Sequence, residues 1–500
     1  MLNNIKIATK DTFIYSLGNI STKIIGLILL PLYTGELTVT EYGVLGMVEI
    51  TIQILIAAFS IALRHALGRW YWDKRYKNKQ KSIFFTTLVA TSFGILLMLI
   101  LFLPFSESLS RALLDSAKYK YLFQLMLVSA GVQILTRIVL SVMRLQRKAI
   151  RFSVSNIFKL LITLGLTIYF IVGLGRGVEG IIEAQIIGFI SLIIVNSNFI
   201  LKNIQPIFER SILKEMLLFS YPLVISSVGG VLLTVTDKYA VRYFGGMEDM
   251  GLYNLGFKIA NVLKIFVINS VFSAIGPLKY KMLDKPNNKR FYSKLMTYTT
   301  FGFIFLLLGL SLFSKETIRV LAANPDYWSA YQIVPILCFA QLFHLLRRNA
   351  NFGLIAEKKT QIISSIMIFI SVLNIGLDVL MIYYFGYIGA AIALLIAQIT
   401  FFGLTYTYAQ RHFFILYEMK KIFIMIAISA IIVIVSYLVI NTFPLIPRLI
   451  TKTILIIVFP VLLYFFNFYE KIELDRLKGA WKKWKNPGNW SNNIKSIKIK

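Results

Sequence analysis

The chain has 500 residues, of which 57% are hydrophobic and 15% charged, and its 53 Lys and Arg outweigh 23 Asp and Glu for a formal net charge of +30. This apolar share, with a mean hydropathy of +0.72, excludes an ordinary soluble domain and a disordered basic chain. The charge alone would suit nucleic acid. Its confinement to short segments between apolar runs excludes that reading in favour of membrane topology.

Met1–Lys10 lacks an apolar core followed by a small-residue cleavage site, so the first apolar helix is expected to act as its own insertion signal. A bilayer's hydrocarbon is crossed by about 20 apolar helical residues, and helices satisfy their own backbone hydrogen bonds in lipid. On that measure about fourteen transmembrane helices follow one another. They are expected at 11–33, 42–65, 83–105, 120–142, 153–173, 178–201, 216–243, 252–275, 293–313, 329–352, 361–384, 387–410, 420–441 and 449–468. The fold class is all-α, a polytopic membrane protein.

The connections alternate in charge. Arg69–Lys81, Arg144–Arg151, Lys202–Lys214, Lys279–Lys294, Glu357–Lys359, Arg411–Lys421 and the tail Glu470–Lys500 lie on one side. With the N-terminus, that side holds about 36 Lys or Arg and the other about 8, which the positive-inside rule reads as cytoplasmic and external. Both termini are therefore expected in the cytoplasm, and the basic loops are expected to meet anionic lipid headgroups. The segment Tyr469–Trp490 mixes Trp481, Trp484 and Trp490 with Lys478, Lys482, Lys483 and Lys485, the pattern of a short interfacial helix. Cys338 is the single cysteine, so no intrachain disulfide forms, and its apolar surroundings suit a packing role.

Weak echoes recur at an offset of about 210 residues, as in transporters built from duplicated units. Glu41-Tyr42-Gly43-Val44-Leu45-Gly46 resembles Asp249-Met250-Gly251-Leu252-Tyr253-Asn254. Arg147-Lys148-Ala149 falls opposite Ala356-Glu357-Lys358, and Gly177-Val178-Glu179-Gly180 opposite Gly386-Tyr387-Ile388-Gly389. The expected organisation is a six-helix N-terminal lobe at 1–205 and a six-helix C-terminal lobe at 206–413. Two further transmembrane helices at 414–468 and a basic interfacial tail at 469–500 complete the chain.

Polar residues inside the apolar helices fall on faces at 100° per residue. In chain order the stripes are Tyr15, Asn19, Thr22, Lys23 and Gly26; Glu49, Gln53, Ser60 and Arg64; and Ser129, Gln133, Thr136, Arg137 and Arg144. Ser226, Gly230 and Asp237 follow, flanked by Lys238 and Arg242, then Asn254, Lys258, Asn261 and Asn269 with Lys264 on the edge. Gln341, His344, Arg347, Arg348 and Asn351 form the next, and Ser364, Ser371, Asn374 and Asp378 the last. A charge in mid-membrane costs roughly 2.5–3.5 kcal/mol on insertion scales and usually faces water or a partner. The stripes therefore point to a hydrophilic cavity between two lobes. Two readings stand for several residues. Arg64, Arg144, Arg242, Arg347 and Arg348 lie near helix ends and could snorkel to the interface, and Asp237 and Asp378 could be structural partners of nearby cations. Lys23, Arg137, Lys258 and Lys264 lie deeper and favour a cavity. His344 suits an interior hydrogen bond better than a proton relay. An excess of cations suggests an anionic cargo such as a diphosphate headgroup, which Arg binds bidentately and Lys as a point charge.

Phe13-Ile14-Tyr15-Ser16-Leu17-Gly18-Asn19, Pro31-Leu32-Tyr33 and Glu41-Tyr42-Gly43 resemble the start of bacterial polysaccharide transporters. Asp237-Lys238-Tyr239, Gly245-Gly246, Gly251-Leu252-Tyr253 and Gly276-Pro277 resemble their centre. The family is that of the Wzx-type oligosaccharide flippases, within the superfamily that also holds multidrug exporters and the lipid II flippase. The resemblance covers essentially the whole chain. It implies alternating access in the bacterial cytoplasmic membrane, moving undecaprenyl-diphosphate-linked oligosaccharide from the inner to the outer leaflet for surface polysaccharide biosynthesis. The prenyl tail would stay among the membrane lipids, and polymerase and chain-length machinery would be partners. Lys23, Arg64, Arg137, Lys258, Lys264 and Arg347 would be the cavity cations. No cofactor is implied beyond a proton or sodium gradient, for which Glu49, Asp237 and Asp378 are the coupling candidates.

Rival readings are weaker on the residues. A lipid-linked oligosaccharide polymerase or ligase needs a large external catalytic loop, and a metal-dependent glycosyl transferase needs acidic cytoplasmic motifs; neither is present in the sequence. No Gly-Lys-Ser/Thr nucleotide loop occurs, so the chain is not expected to be an enzyme. A cation-coupled multidrug exporter or a lipid II flippase of the same superfamily are the alternatives. The former favours carboxylates in an apolar wall, whereas the latter carries a chemically similar cargo.

Overall fold

A computed structural model describes residues 26, 28–283, 285–471 and 474–475. The stripe around Lys23 and most of the basic tail lie outside the described residues. Those described fold into α-helices: α1 (Leu30–Glu36), α2 (Val39–Phe59), α3 (Leu63–Trp70), α4 (Gln80–Phe102), α5 (Ser106–Leu114), α6 (Lys120–Leu145), α7 (Ala149–Ile168), α8 (Gly177–Val195) and α9 (Ser197–Asn203). After them come α10 (Arg210–Leu263), α11 (Asn269–Lys281), α12 (Asn288–Leu312), α13 (Ser314–Leu321), α14 (Ile333–Ala356), α15 (Thr360–His412), α16 (Met419–Leu438) and α17 (Leu445–Phe465).

Twelve helices among the described residues are long and apolar enough to cross a membrane. One of them, α15, holds two of the expected segments, because Gly386 breaks it at φ 55°, ψ −140°. Gly246 does the same in α10 at φ 87°, ψ −176°. Neither conformation is open to a residue with a Cβ without strain, so these glycines turn the chain where the sequence has almost no loop. The outward faces suit lipid: on α4, Phe93 is 67% and Ile100 63% exposed. The protein is a multi-pass membrane protein.

The helix expected at 42–65 is two helices. Ile61 and Ala62 have φ of 50° and 49°, a region costly for β-branched Ile61 in particular. The break separates α2 from α3, and Gly94 on α4 accommodates it: a Cβ there would lie 3.0 Å from both the Phe59 carbonyl oxygen and Ile61 Cδ1.

The chain divides into two compact units. The first comprises 1–259, 315–337 and 367–397; the second 260–314, 338–366 and 398–500. In the first, Leu63, Leu67, Trp70, Phe84, Phe152 and Met216 share one buried cluster at the charge-rich ends of the helices. In the second, Tyr292, Phe352 and Ile415 pack together, and Cys338 is fully buried.

A similar polar clasp closes each unit on the charge-rich side. Glu209, in the connection before α10, accepts hydrogen bonds from Lys79 Nζ (2.9 Å) and Ser82 Oγ (3.1 Å), while Thr86 Oγ1 donates to the Ile207 carbonyl. Glu418, before α16, accepts from Lys294 Nζ (2.8 Å) and Thr297 Oγ1 (2.8 Å), while Ser293 Oγ donates to the Leu416 carbonyl. Burial alone would raise the Glu418 carboxyl, but the bonds from Lys294, Thr297 and Lys421 hold it below the usual carboxylate range.

Left-handed turns also recur at matching places: Asn78 and Asn287 (φ 76° and 64°), Arg147 and Lys358 (54° and 57°), and Gly177 and Gly386 (52° and 55°). The two glycines differ in surroundings. A Cβ at Gly177 would meet only Leu37, at 3.8 Å, whereas one at Gly386 would lie 2.8 Å from Asp249 Oδ2, which accepts the Tyr387 N–H. Left-handed backbone costs a Cβ-bearing residue roughly 1–2 kcal/mol. Gly177→Ala is therefore expected to lower stability by about that amount and Gly386→Ala by more, as read from thermal unfolding of the purified protein in detergent.

Candidate functional site

Within the first unit, α2, α3, α6 and the first part of α10 enclose a cavity of about 220 Å³ lined by Gln53, Ser60, Arg64, His65, Arg137 and Ser227, with Ile56, Ala57 and Ile134 among its apolar walls. It gathers two predicted stripes, one on α2 and α3 and one on α6. Arg64 reaches it although the helix carrying Glu49 and Gln53 ends before it: the left-handed Ile61–Ala62 pair re-aims α3, and Ala62 itself lines the wall. Arg137 is exposed to the cavity, two turns below Ser129, where Gln133 Nε2 donates to Ser129 Oγ at 3.1 Å. Two guanidiniums facing one cavity can hold an anion with several oxygens. His65, Ser227 and, within electrostatic reach of Arg137, Lys159 were not foreseen. The first two lie beside the predicted Arg64 and Ser226, whereas Lys159 sits on α7 near Ser155, Asn156 and Thr163, a polar face that was not among the predicted stripes.

Lys258 is placed differently. Its Nζ lies 3.1 Å from Glu49 Oε2 and 5.1 Å from the centroid of the Tyr42 ring. A predicted cavity cation and a predicted coupling carboxylate thus form one ion pair between α2 and the second part of α10. Their side chains are 22% and 31% exposed, so the pair is shielded from bulk water yet reachable.

The other two carboxylates share a neighbourhood. Tyr253 OH donates to Asp237 Oδ2 at 2.6 Å, and Asn374 Nδ2 donates to Asp378 Oδ2 at 2.8 Å. Asp237 and Asp378 are within electrostatic reach of each other, and Tyr253 of both. Asp378 is fully buried. Among the described residues its Oδ1 and the Asn374 Oδ1 accept no hydrogen bond. Lys238, next to Asp237, lies over the Phe257 ring at 4.5 Å.

Lys264 and Arg347 belong to the second unit. Lys264 opens a π-helical turn, Lys264–Ile268, an irregularity common at functional positions. Arg347 donates to His344 Nδ1 across 2.9 Å and stacks over Phe401 at 3.9 Å. Lys264, Arg347 and Arg348 all lie within electrostatic reach of His344, and Arg348 donates to Asn269 Oδ1 at 3.3 Å. Arg242 joins none of these groups. It donates to the Leu113 (3.0 Å) and Ala112 (2.9 Å) carbonyls and pairs with Asp115, capping the C-terminus of α5, where a cation also favours the helix dipole.

Breaking a shielded ion pair from one side leaves the other charge uncompensated. Lys258→Met and Glu49→Gln alone are each expected to destabilise by about 1–3 kcal/mol, and the double variant by less than the sum. Thermal unfolding of the four proteins measures this coupling; additive losses would mean that the pair does not form.

Comparison with known proteins agrees with this architecture. The profile of the family described as polysaccharide biosynthesis protein matches residues 8–283, more than half of the chain. An uncharacterized membrane protein of Methanocaldococcus jannaschii is 26% identical over 213 residues, 40% of this chain and only 41% of that protein. Lsg locus putative protein 1 of Haemophilus influenzae is 24% identical over 306 residues, 59% of this chain and 71% of that one. Among solved structures, the lipid II flippase MurJ in an inward closed conformation superposes with a TM-score of 0.69 at 19% identity, over 90% of this chain and 99% of that one. An inward-facing multidrug resistance transporter of the MATE family gives 0.60 at 15% identity, over 79% and 94%. A Pyrococcus furiosus transporter of the same superfamily, reported to have a binding pocket of reverse polarity, gives 0.54 at 14% identity, over 81% and 95%. The shared property at these identities is the fold.

Proposed function

The chain belongs to the polysaccharide biosynthesis protein family, and we propose that it is a flippase for undecaprenyl-diphosphate-linked oligosaccharide. It would act in the bacterial cytoplasmic membrane by alternating access from the inner to the outer leaflet, for surface polysaccharide biosynthesis. The observation that carries this reading is the cavity holding Arg64 and Arg137 side by side. A diphosphate offers oxygens to both guanidiniums, and its charge offsets the cost of keeping two cations away from bulk water. Gln53, Ser60 and Ser227 supply neutral hydrogen-bonding groups suited to sugar hydroxyls. The reading assigns Lys23, Lys258, Lys264 and Arg347 to the cargo path as well, with Lys258 released for that task when Glu49 lets it go.

Organisation follows the same reading. Two six-helix lobes, 1–205 and 206–413, are supported by the paired left-handed turns and the matching Glu209 and Glu418 clasps. The helices at 414–468 stand outside that repeat, and both termini face the cytoplasm on the charge asymmetry. The task is transport rather than catalysis. A polymerase would consume the exported product, which would draw the cargo outward.

For coupling, Asp378 and Asp237 are the favoured carboxylates. They share Tyr253 as a neighbour, and among the described residues Asp378 Oδ1 and Asn374 Oδ1 accept no hydrogen bond, which leaves two oxygens for a proton or sodium ion. Glu49 is the third candidate, through its exchange with Lys258. Asp378→Asn in liposomes is expected to abolish the dependence of flipping on an imposed gradient while cargo still binds. Unchanged gradient dependence would reject the assignment.

The cargo reading is tested by binding. Purified protein is expected to bind undecaprenyl diphosphate at least about tenfold more tightly than undecaprenol, a difference that two charge-assisted contacts readily supply. Arg64→Ala with Arg137→Ala should erase the preference, and Arg64→Lys with Arg137→Lys should retain part of it. No preference for the diphosphate would overturn the reading. A lipid II flippase shares that chemistry, and competition with lipid II separates the two.

A further inference from the structure

We propose that a reciprocal glycine crossing between α2 and the second part of α10 is the release-side gate of this transporter, the contact that must part for cargo to leave. The proposal rests on the alternating-access reading above but adds a named mechanical element to it. All residues involved lie in the first unit.

The crossing is unusually close and symmetric in its chemistry. A Cβ on Gly43 would fall 2.0 Å from the Met247 carbonyl oxygen, and a Cβ on Gly251 2.1 Å from the Val39 carbonyl oxygen. Each glycine therefore faces the carbonyl one helical turn before the other glycine. Such an approach is open only to residues without side chains, and it allows Cα–H to carbonyl contacts of the kind found at tight helix crossings. One turn further along, a Cβ on Gly46 would lie 2.7 Å from Asn254 Nδ2, so the two helices stay in contact toward Glu49 and Lys258.

Both helices enter the membrane here from the connections poor in Lys and Arg, at 37–38 and near Gly246. The contacts around the crossing tie the same end shut. Tyr327 OH shares its single proton between the Leu37 (2.9 Å) and Thr38 (2.8 Å) carbonyls, and its ring meets Tyr42 edge-on at 5.7 Å between centroids. Thr51 Oγ1 and Tyr239 OH lie 2.7 Å apart one layer deeper.

Parting this crossing leaves few groups stranded. The Val39 and Met247 carbonyls are helical and keep their own backbone hydrogen-bond partners when the glycines withdraw, so no buried acceptor is orphaned. The closure consists of close packing and a few hydroxyl bonds, which suits a contact made and broken in each cycle better than a permanent core would. A methyl group on either glycine pushes the helices apart and shifts the population toward the open gate.

The test reads accessibility and needs no cargo. In a Cys338→Ser background, Gln53→Cys places a thiol in the cavity, and its labelling by a membrane-impermeant maleimide added outside intact cells is measured. Gly43→Ala and Gly251→Ala are each expected to raise labelling by about three- to tenfold, as when a minor state of a few per cent gains population. Gly302→Ala, where a Cβ meets open space, should leave it at the parental level. Should the alanine variants fail to accumulate, Tyr327→Phe decides, since it removes the hydroxyl bond shared by the Leu37 and Thr38 carbonyls without adding volume and should raise labelling in the same direction. Parental labelling in all variants that accumulate overturns the gate. Raised labelling without any preference for undecaprenyl diphosphate keeps the gate and rejects the cargo.

Discussion

A charge carried into hydrocarbon on a helix must meet water, an opposite charge or a hydrogen-bonding group, because the bilayer offers none. The arrangement of this chain's interior depends on how each such charge meets that demand. Arg64 and Arg137 meet it with a cavity, Lys258 with Glu49, and Arg242 with carbonyls at the end of α5. Arg347 meets it with His344 and the face of Phe401. The first solution leaves two cations lining an open cavity, whereas the others set a charge against a partner of the protein's own. Burial of a cation alone therefore says little about cargo; the kind of compensation does.

Much of this was legible in the sequence and some was not, for physical reasons. The helices were legible because length and hydropathy in lipid are set by bilayer thickness. The stripe holding Gln53, Ser60 and Arg64 was legible as a polar face, but the break that re-aims Arg64 was not. Ile61 and Ala62 carry no turn chemistry, and their left-handed conformation comes from the space that Gly94 leaves on α4. Glu49 and Lys258 were each visible as membrane charges. Their pairing was hidden because partners on distant helices leave no periodic signal. Arg242 looked like a snorkelling side chain, and its capping of α5 could not be read without the short helix in place.

The echoes of about 210 residues show a comparable split. What recurs is backbone geometry and its immediate support: left-handed turns at Asn78 and Asn287, at Arg147 and Lys358, and at Gly177 and Gly386. The clasp carboxylates Glu209 and Glu418 recur too. A connection of a few residues between antiparallel helices closes in only a few characteristic backbone conformations, so the same geometry recurs where the side chains differ. Asp237 and Asp378, Glu49 and Lys258 belong to the part that does not recur.

That division bears on how one fold can handle different cargo. Solved transporters of similar fold include a lipid II flippase, a multidrug resistance transporter and one with a binding pocket of reverse polarity, so the shared helices do not specify the ligand. In this chain the elements that recur or pack backbone against backbone, the clasps and the Gly43–Gly251 crossing, bear on motion. The charges that line the cavity bear on recognition. Because the crossing has no side chains of its own, changes in the cavity can alter cargo without altering how the helices meet, provided each new charge finds compensation of one of the kinds above.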